Sequence, residues 1–367
     1  MGFSWVSTEA LTGKIIADLP DLQVERVKLS LGRYESATAS MPLPTAPNNW
    51  ERATLEGASN LILLADNPND PAHGIPVWGG MVTSSNRDGT DVLPMSVATL
   101  EAYLDRRFVG DQTFTQVGQN DIFQTLIANY VAAGSNGGLP IRVQVVNGGV
   151  GTLRDRTFKD QDDKTVYSAI RDLAGVIGGI EWAIGWEWQT NPERITPVAY
   201  VGDRIGTAVT PGLAPAATFY LPGSVASVVN PRDYSNGRGA NDVMATSSGQ
   251  GDVRPQSPRQ VFADPDRPTF EHRFSPSTSI TEISTLTEYA EAALAVLKDG
   301  IRSVGLTAAT GNAPRLGVGW NVGDDLGFDI MAPAFPNAHV GVARAIGWEL
   351  ELGGVEFVTP VIAGEEI

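Results

Sequence analysis

The chain has 367 residues, enough for two or three units of ordinary domain size, each able to bury a core. Hydrophobic residues at 42% and charged residues at 19% make it globular, and 40 glycines with 24 prolines favour a turn-rich, strand-rich protein. A formal charge of −16 speaks against affinity for nucleic-acid phosphates, and the absence of cysteine excludes disulfides, thiolate metal sites and a cysteine nucleophile.

An acidic wall would still repel a passing polyanion and keep it from sticking. No apolar run approaches the roughly 18 residues of a membrane span. The start MGFSWVSTEALTGK has no basic stretch followed by an apolar one, so no signal peptide is expected. The expectation is a soluble chain made in a cytoplasm, with no membrane insertion.

The first hundred residues read as short strands and turns. VKLSL sets Val27, Leu29 and Leu31 against Lys28 and Ser30, the alternation of a half-buried strand. NLILLAD is a continuous apolar run between polar turns, hence a strand buried on both faces. PVWGGMVTSS and DVLPMSVAT flank the turn NRDGT as a hairpin. No helical period competes in this region.

Helices come next. NDIFQTLIANYVAAG puts Ile122, Phe123, Leu126, Ile127 and Tyr130 on one face. IRVQVV reads as a strand with Ile141, Val143 and Val145 inward. A second helix carries Val166, Ala169, Ile170 and Leu173, with Asp162 or Asp163 as its cap and Gly175 near its end.

Strands then return. In IEWAIGWEW, Trp182, Ile184, Trp186 and Trp188 share one face, and Glu181, Ala183, Gly185 and Glu187 the other. Asn230 to Pro268 reads as a long, partly mobile connection with a short strand at NDVMATSS. A third helix is expected from a capping box at Ser279 and Glu282, with Leu286, Tyr289, Ala290, Ala293, Leu294 and Leu297 as its core face. Finally ARAIGWELEL sets Ile346, Trp348, Leu350 and Leu352 against Ala345, Gly347, Glu349 and Glu351.

Catalytic chemistry finds little support. Asp155, Asp160, Asp162 and Asp163 could ligate a metal, but a calcium loop counted from Asp160 needs glycine and glutamate where Thr165 and Arg171 stand. A solvated turn before a helix N-terminus accounts for these aspartates. Glu181 and Glu187 share a strand face but sit about 20 Å apart at 3.3 Å per residue, beyond the about 5–9.5 Å of a glycosidase pair. The tryptophan stripe is either core or a platform for sugar rings. His73, His272 and His339 have no metal-binding spacing, and there is no G-x-S-x-G elbow. GVGWNVGD reads as a turn before a strand. No catalytic residue, metal site or cofactor is expected.

One electrostatic feature stands out. From Asn321 onward there are eight acidic residues (Asp324, Asp325, Asp329, Glu349, Glu351, Glu356, Glu365, Glu366) and one basic, Arg344. Glu349 and Glu351 project from one strand face, either as a solvated surface or as the wall of a passage.

Several stretches carry a resemblance: LSLGRYESATASMPLP, APNNWERAT, VWGGMV, TLEAYLDRRFVGD, GTLRDRTFKDQDDKTVYSAIRDLAGVIGGIEW, RLGVGWNVGDDLGF and AIGWELELGGVEFVTPVI. In this order, across nearly the whole chain, they resemble the minor tail proteins that form the distal tail hub of long-tailed actinobacteriophages (siphoviruses). Those proteins are similar to the baseplate hubs of contractile tails.

The resemblance implies a mainly β fold with an α/β insertion, and two β-barrel tube domains per subunit. On this reading, 1–100 is the first barrel and 101–178 the two-helix insertion. Residues 179–280 are the second β domain with its long loop, and 281–367 the helix and strands that complete the second barrel. It also implies a homotrimer that continues the hexameric tube, joined to other tip proteins: distal tail protein, tape measure, and tip fibre or central spike. Genomic DNA would pass through its lumen without specific binding, at the distal end of the tail in the virion. No catalytic motif carries over, and no lytic extension is expected after Ile367. Glu349 and Glu351 become the candidate acidic lumen face, and Arg154, Asp155 and Arg156 a candidate structural ion-pair network. The competing reading is a carbohydrate-binding adhesin that recognises the host through Trp186 and Trp188.

Overall fold

The computed structural model describes residues 2–176, 178–210, 212–215, 217–230, 232–248, 254–276, 280, 282–302 and 305–362. Contacts divide the chain into two compact units, Met1–Ser227 with Leu306–Val361, and Val228–Gly305 with Ile362–Ile367. That division differs from the four consecutive segments expected above.

The first unit opens with β1 (Phe3–Glu9), β2 (Ile15–Asp18), β3 (Gln23–Val24), β4 (Arg26–Ser30), β5 (Ser36–Pro42), the single turn α1 (Trp50–Ala53), β6 (Ser59–Ala65), β7 (Ile75–Ser85) and β8 (Val92–Ala98). All the strands but β4 form one sheet in the order β2-β1-β6-β7-β8-β5-β3. Strand β6 is buried throughout, as its unbroken apolar run predicts. β7 and β8 make the expected hairpin, with Met81 opposite Ala98. The helical turn at Trp50 was not expected.

The α/β segment follows: α2 (Glu101–Leu104), β9 (Gln112–Gly118), α3 (Gln119–Tyr130), β10 (Arg142–Asn147), β11 (Leu153–Phe158), α4 (Val166–Ala174), β12 (Glu181–Thr190) and β13 (Glu193–Gly202). β10 runs parallel to β13, and β12 lies antiparallel on its other side. One apolar core holds this sheet, α3, α4 and the inner face of the first sheet. It gathers Val6, Ile62, Phe123, Ile170, Trp182 and Trp186 among others. The tryptophan-bearing strand therefore belongs with the α/β segment rather than with a later domain. The cap of α4 is Thr165, whose hydroxyl accepts the Ser168 N–H at 3.1 Å. Neither Asp162 nor Asp163 plays that part, because the chain first makes a 3-10 turn over Asp160–Asp162 and turns left-handed at Asp163 (φ 47°).

After β14 (Thr218–Leu221) and β15 (Val225–Val229) comes the second unit, with β16 (Arg232–Asp233), β17 (Asp242–Ala245), β18 (Gln260–Val261), β19 (Glu271–Phe274), α5 (Ile283–Leu297) and β20 (Ile301–Arg302). Strands β18-β17-β19 form a small sheet, and β16 pairs with β20. Helix α5 lays Leu286, Ala290 and Leu297 against Ala240, Val243 and Ala245. The span read as a long connection is thus part of a folded unit, whose strands are too short to show periodicity. Tyr289, expected in the helix core, is exposed. Glu282 stands at the N-cap without a side-chain cap hydrogen bond, and Ser279 lies outside the described residues.

The first unit resumes with β21 (Gly305–Ala309), β22 (Asp325–Ala332), β23 (Phe335–Glu351) and β24 (Phe357–Ile362). Its second large sheet runs β14-β22-β23-β24-β21-β15, with β4 paired to β23 off this path. Among the described residues neither large sheet closes on itself, since each strand order ends at two unpaired edges. The expectation of two closed barrels is corrected to two open sheets. Closure needs a pairing between first and last strand, which the described residues of one copy do not make. What holds is a mainly β fold with a few helices.

Candidate functional site

The acidic C-terminal strands do not stand bare. Register puts Glu349 opposite Lys28 and Glu351 opposite Arg26. Glu349 pairs with Arg26 Nε at 2.8 Å and Lys28 Nζ at 2.7 Å, and Glu351 pairs with Arg26 at 2.9 Å. Two carboxylates meet two cations contributed from more than 300 positions away in the sequence.

A second polar knot ties β12 to β22 and β23. Arg344 holds Glu181 with both terminal nitrogens, and also donates to the Ile205 carbonyl at 2.9 Å and the Gly323 carbonyl at 3.1 Å. Glu181 further accepts the Ile205 N–H at 2.8 Å. Beside them Arg204 pairs with Asp325 at 2.5 Å, and Asp325 accepts the Val209 N–H at 2.9 Å. Burial pushes the Glu181 carboxyl up, but the Arg344 hydrogen bonds and the Ile205 N–H outweigh it, so its pKa lies below the ordinary value. Asp325 is held low in the same way, against burial, by the Val209 N–H and Arg204. Arg344, the lone basic residue of the acidic tract, is the centre of this knot. Sequence reasoning missed it, and the isolated arginine was the only signal.

The other tract acids are mostly structural. Asp324 accepts backbone N–H groups of Thr207 and Asn321 at 2.6 and 2.7 Å. Glu356 accepts from the Thr310 hydroxyl at 3.0 Å. Asp329 makes no side-chain hydrogen bond or ion pair among the described residues. Glu365 and Glu366 lie outside the described residues.

Arg154, Asp155 and Arg156 stand on β11 at a bulge against β9. Arg154 donates to Gln119 Oε1 at 3.3 Å and to the Gly178 carbonyl at 3.2 Å. Asp155 accepts the Gln116 N–H at 2.7 Å and also the Gln116 side-chain amide. Gln116 has φ 52°, a left-handed conformation unusual outside glycine, and the Asp155 carboxylate braces it. Arg156 donates to the Asp155 carbonyl at 3.0 Å.

The tryptophan stripe is largely core. Trp182 and Trp186 are buried, and Trp188 is part-buried with its indole N–H donated to the Gly74 carbonyl at 2.7 Å. On the opposite face Glu187 accepts the Tyr200 hydroxyl at 2.7 Å and pairs with Arg142. The histidines stay apart. His73 sits between Asp70 (2.8 Å) and Glu193 (3.1 Å), His272 stacks on Phe274, and His339 on Phe328 and Phe335. Among the described residues no group of three or more His, Asp or Glu is placed to hold a metal ion.

One buried acid belongs to none of these networks. Glu101 is wholly buried and accepts the Ile184 N–H at 3.0 Å, while its other oxygen has no hydrogen-bond partner among the described residues. Burial raises its pKa to about 7.

With this geometry in hand, comparison with known proteins is informative at the level of fold. No family model matches the sequence, and no curated protein matches it. Solved structures do. A tail protein from Neisseria meningitidis MC58 covers 99% of this chain and 97% of its own, at a TM-score of 0.57 and 15% identity. The 43 kDa tail protein of prophage MuSo2 from Shewanella oneidensis covers 99% of both chains, at 0.59 and 10% identity. A chain of the Francisella PdpA–VgrG complex matches 99% of this chain over 58% of its own length, at 0.52 and 8% identity. The chain is thus structurally similar, end to end, to phage tail proteins.

Proposed function

We propose that the protein is a structural component of a phage tail tip: a hub subunit that assembles as a trimeric ring, continues the tail tube and joins neighbouring tip proteins, with genome DNA passing through its lumen. The observation that carries this reading is the end-to-end likeness to tail proteins at near-complete coverage of both chains. The open sheets support it. Each ends at edges that a neighbouring subunit can cover, which a ring achieves without closing a barrel inside one chain.

Glu349 and Glu351 are the proposed lumen wall. With Arg26 and Lys28 they form a charge-balanced row, so the wall offers phosphate no net attraction, and the −16 of the whole chain keeps DNA moving. Arg154, Asp155 and Arg156 are proposed as scaffolding at the β9–β11 bulge. Alanine at both arginines is expected to lower stability or tail assembly. The adhesin reading draws no support from Trp186, which is buried.

The test is the mass of the purified chain by light scattering, with negative-stain images of the same peak. A trimeric ring with a central hole supports the hub. A compact monomer that binds glycans, and loses them on Trp188→Ala while staying folded, moves the assignment to an adhesin.

A further inference from the structure

One side of β23 carries Val340, Val342, Arg344, Ile346, Trp348 and Leu350 in unbroken alternation. Trp348 and Leu350 are buried, but Val340 and Val342 are 70% and 50% exposed. The row is covered beyond Arg344, which is tied to Glu181, and open on the near side, where the two valines stand. Its neighbours extend it sideways: Val340 lies opposite Asp329 of β22, which lies beside Tyr220 of β14. Tyr220 is 50% and Met331, next along β22, 60% exposed. The reverse side of these strands already buries Phe219, Phe328 and Ile330. A sheet with one face in the core normally shows polar side chains to water. Here Val340, Val342, Tyr220 and Met331 stand exposed around Asp329 instead, and clustered exposed apolar surface of this kind marks an interaction site.

Asp329 decides what fits. It sits in the middle row without a side-chain partner among the described residues. A purely apolar cover would strip water from its charge at a heavy cost, so the covering surface must bring a cation. This chain carries such a surface in the loop after α2. There Phe108 is 53% exposed, two residues from Arg106, whose exposed guanidinium has no hydrogen bond or ion pair among the described residues. The loop is held in place by Arg107, which donates to the Tyr130 and Ala133 carbonyls, and by the Val109 N–H on the Lys164 carbonyl at 2.8 Å. It is a braced knob.

We infer that the Tyr220–Asp329–Val340 face of one copy receives Phe108 and Arg106 of the next, with Asp329 paired to Arg106. The two surfaces differ, so the contact is head-to-tail, and repetition closes it into a ring. This rests on the ring reading above and specifies its subunit contact.

The chain lacks cysteine, which makes the test direct. Phe108→Cys and Val340→Cys are purified separately, mixed and mildly oxidised. A disulfide-linked dimer is expected from the mixture and from neither variant alone. In light scattering, Asp329→Lys and Arg106→Asp are each expected to lose the oligomer, and the double exchange to restore it, with thermal melts reporting the fold. An oligomer that survives both single exchanges, with no mixed cross-link, overturns the contact and leaves the ring standing. A wild-type monomer without cross-link overturns both. Unchanged mass with tail assembly lost in Asp329→Lys assigns the face to another tail protein and overturns the self-contact.

Discussion

Glu101 is the residue whose chemistry is furthest from ordinary. Its pKa stands near 7 in the fold against 4.5 for a free glutamate, because burial disfavours the charged form. Between those values the native state binds the extra proton, so its contribution to stability falls as pH rises from about 4.5 through about 7. Glu101→Gln removes the titration and keeps an acceptor for the Ile184 N–H. The variant is expected to be more stable than the parent at pH 8, by up to about 3 kcal/mol, and little changed at pH 5. Urea unfolding midpoints at the two pH values measure it; equal midpoints for parent and variant at pH 8 would sink the idea. Nothing local in LEAYLDRR announces this carboxylate as buried, since burial comes from β12 laid over it. The cap of α4 was closer to legible. Thr165 stands where a Ser/Thr cap belongs, but two aspartates just upstream competed for the part, and only the left-handed turn at Asp163 decided between them.

Among the elements, β12 and β23 were legible as alternating strands, but alternation does not say what covers each face. Packing answers that for β12: Trp186 is in the common core, against α3, α4 and the first sheet. Trp186→Ala is therefore expected to cost about 3–5 kcal/mol of stability, read as a fall in the chemical denaturation midpoint. A fully stable Trp186→Ala protein with altered glycan binding would instead argue for an exposed platform. For β23 the two ends have different fates: Trp348 and Leu350 are buried, while Val340 and Val342 stand exposed although β22 pairs with that end. The strands of the second unit were the least legible. β17, β18 and β19 have two to four residues each, and α5 supplies the core that they lack alone.

At the scale of the molecule, the first unit depends on contacts between distant parts of the chain. The Arg344–Glu181 pair joins strands 163 positions apart, and both side chains are mostly shielded from water. Removing one partner leaves the other charge half-buried and unpaired. Arg344→Met is expected to destabilise by roughly 3 kcal/mol, while Arg344→Met with Glu181→Met recovers much of the loss, a coupling that a double-mutant cycle measures. Additive single effects would show that the pair is not an energetic unit. The pH sign is opposite to that of Glu101. Glu181 has a lowered pKa, so its stabilisation is present above about pH 4.5 and is lost as pH falls through the native value.

The sequence by itself determined the elements with clear periods: the buried run of β6, the β7–β8 hairpin, the faces of α3 and α4, and the parity of β12 and β23. These follow from side-chain direction repeating every two residues in a strand and every 3.6 in a helix, a property of the local chain. Only the tertiary structure decided that β4 crosses to the C-terminal sheet and that Glu349 and Glu351 meet Arg26 and Lys28. Among the described residues, it alone left the large sheets open, and it alone put Asp329 without a side-chain partner amid exposed apolar side chains. Those outcomes depend on which distant strands pair and which surfaces they cover, and a strand pattern carries no information about its partner's address.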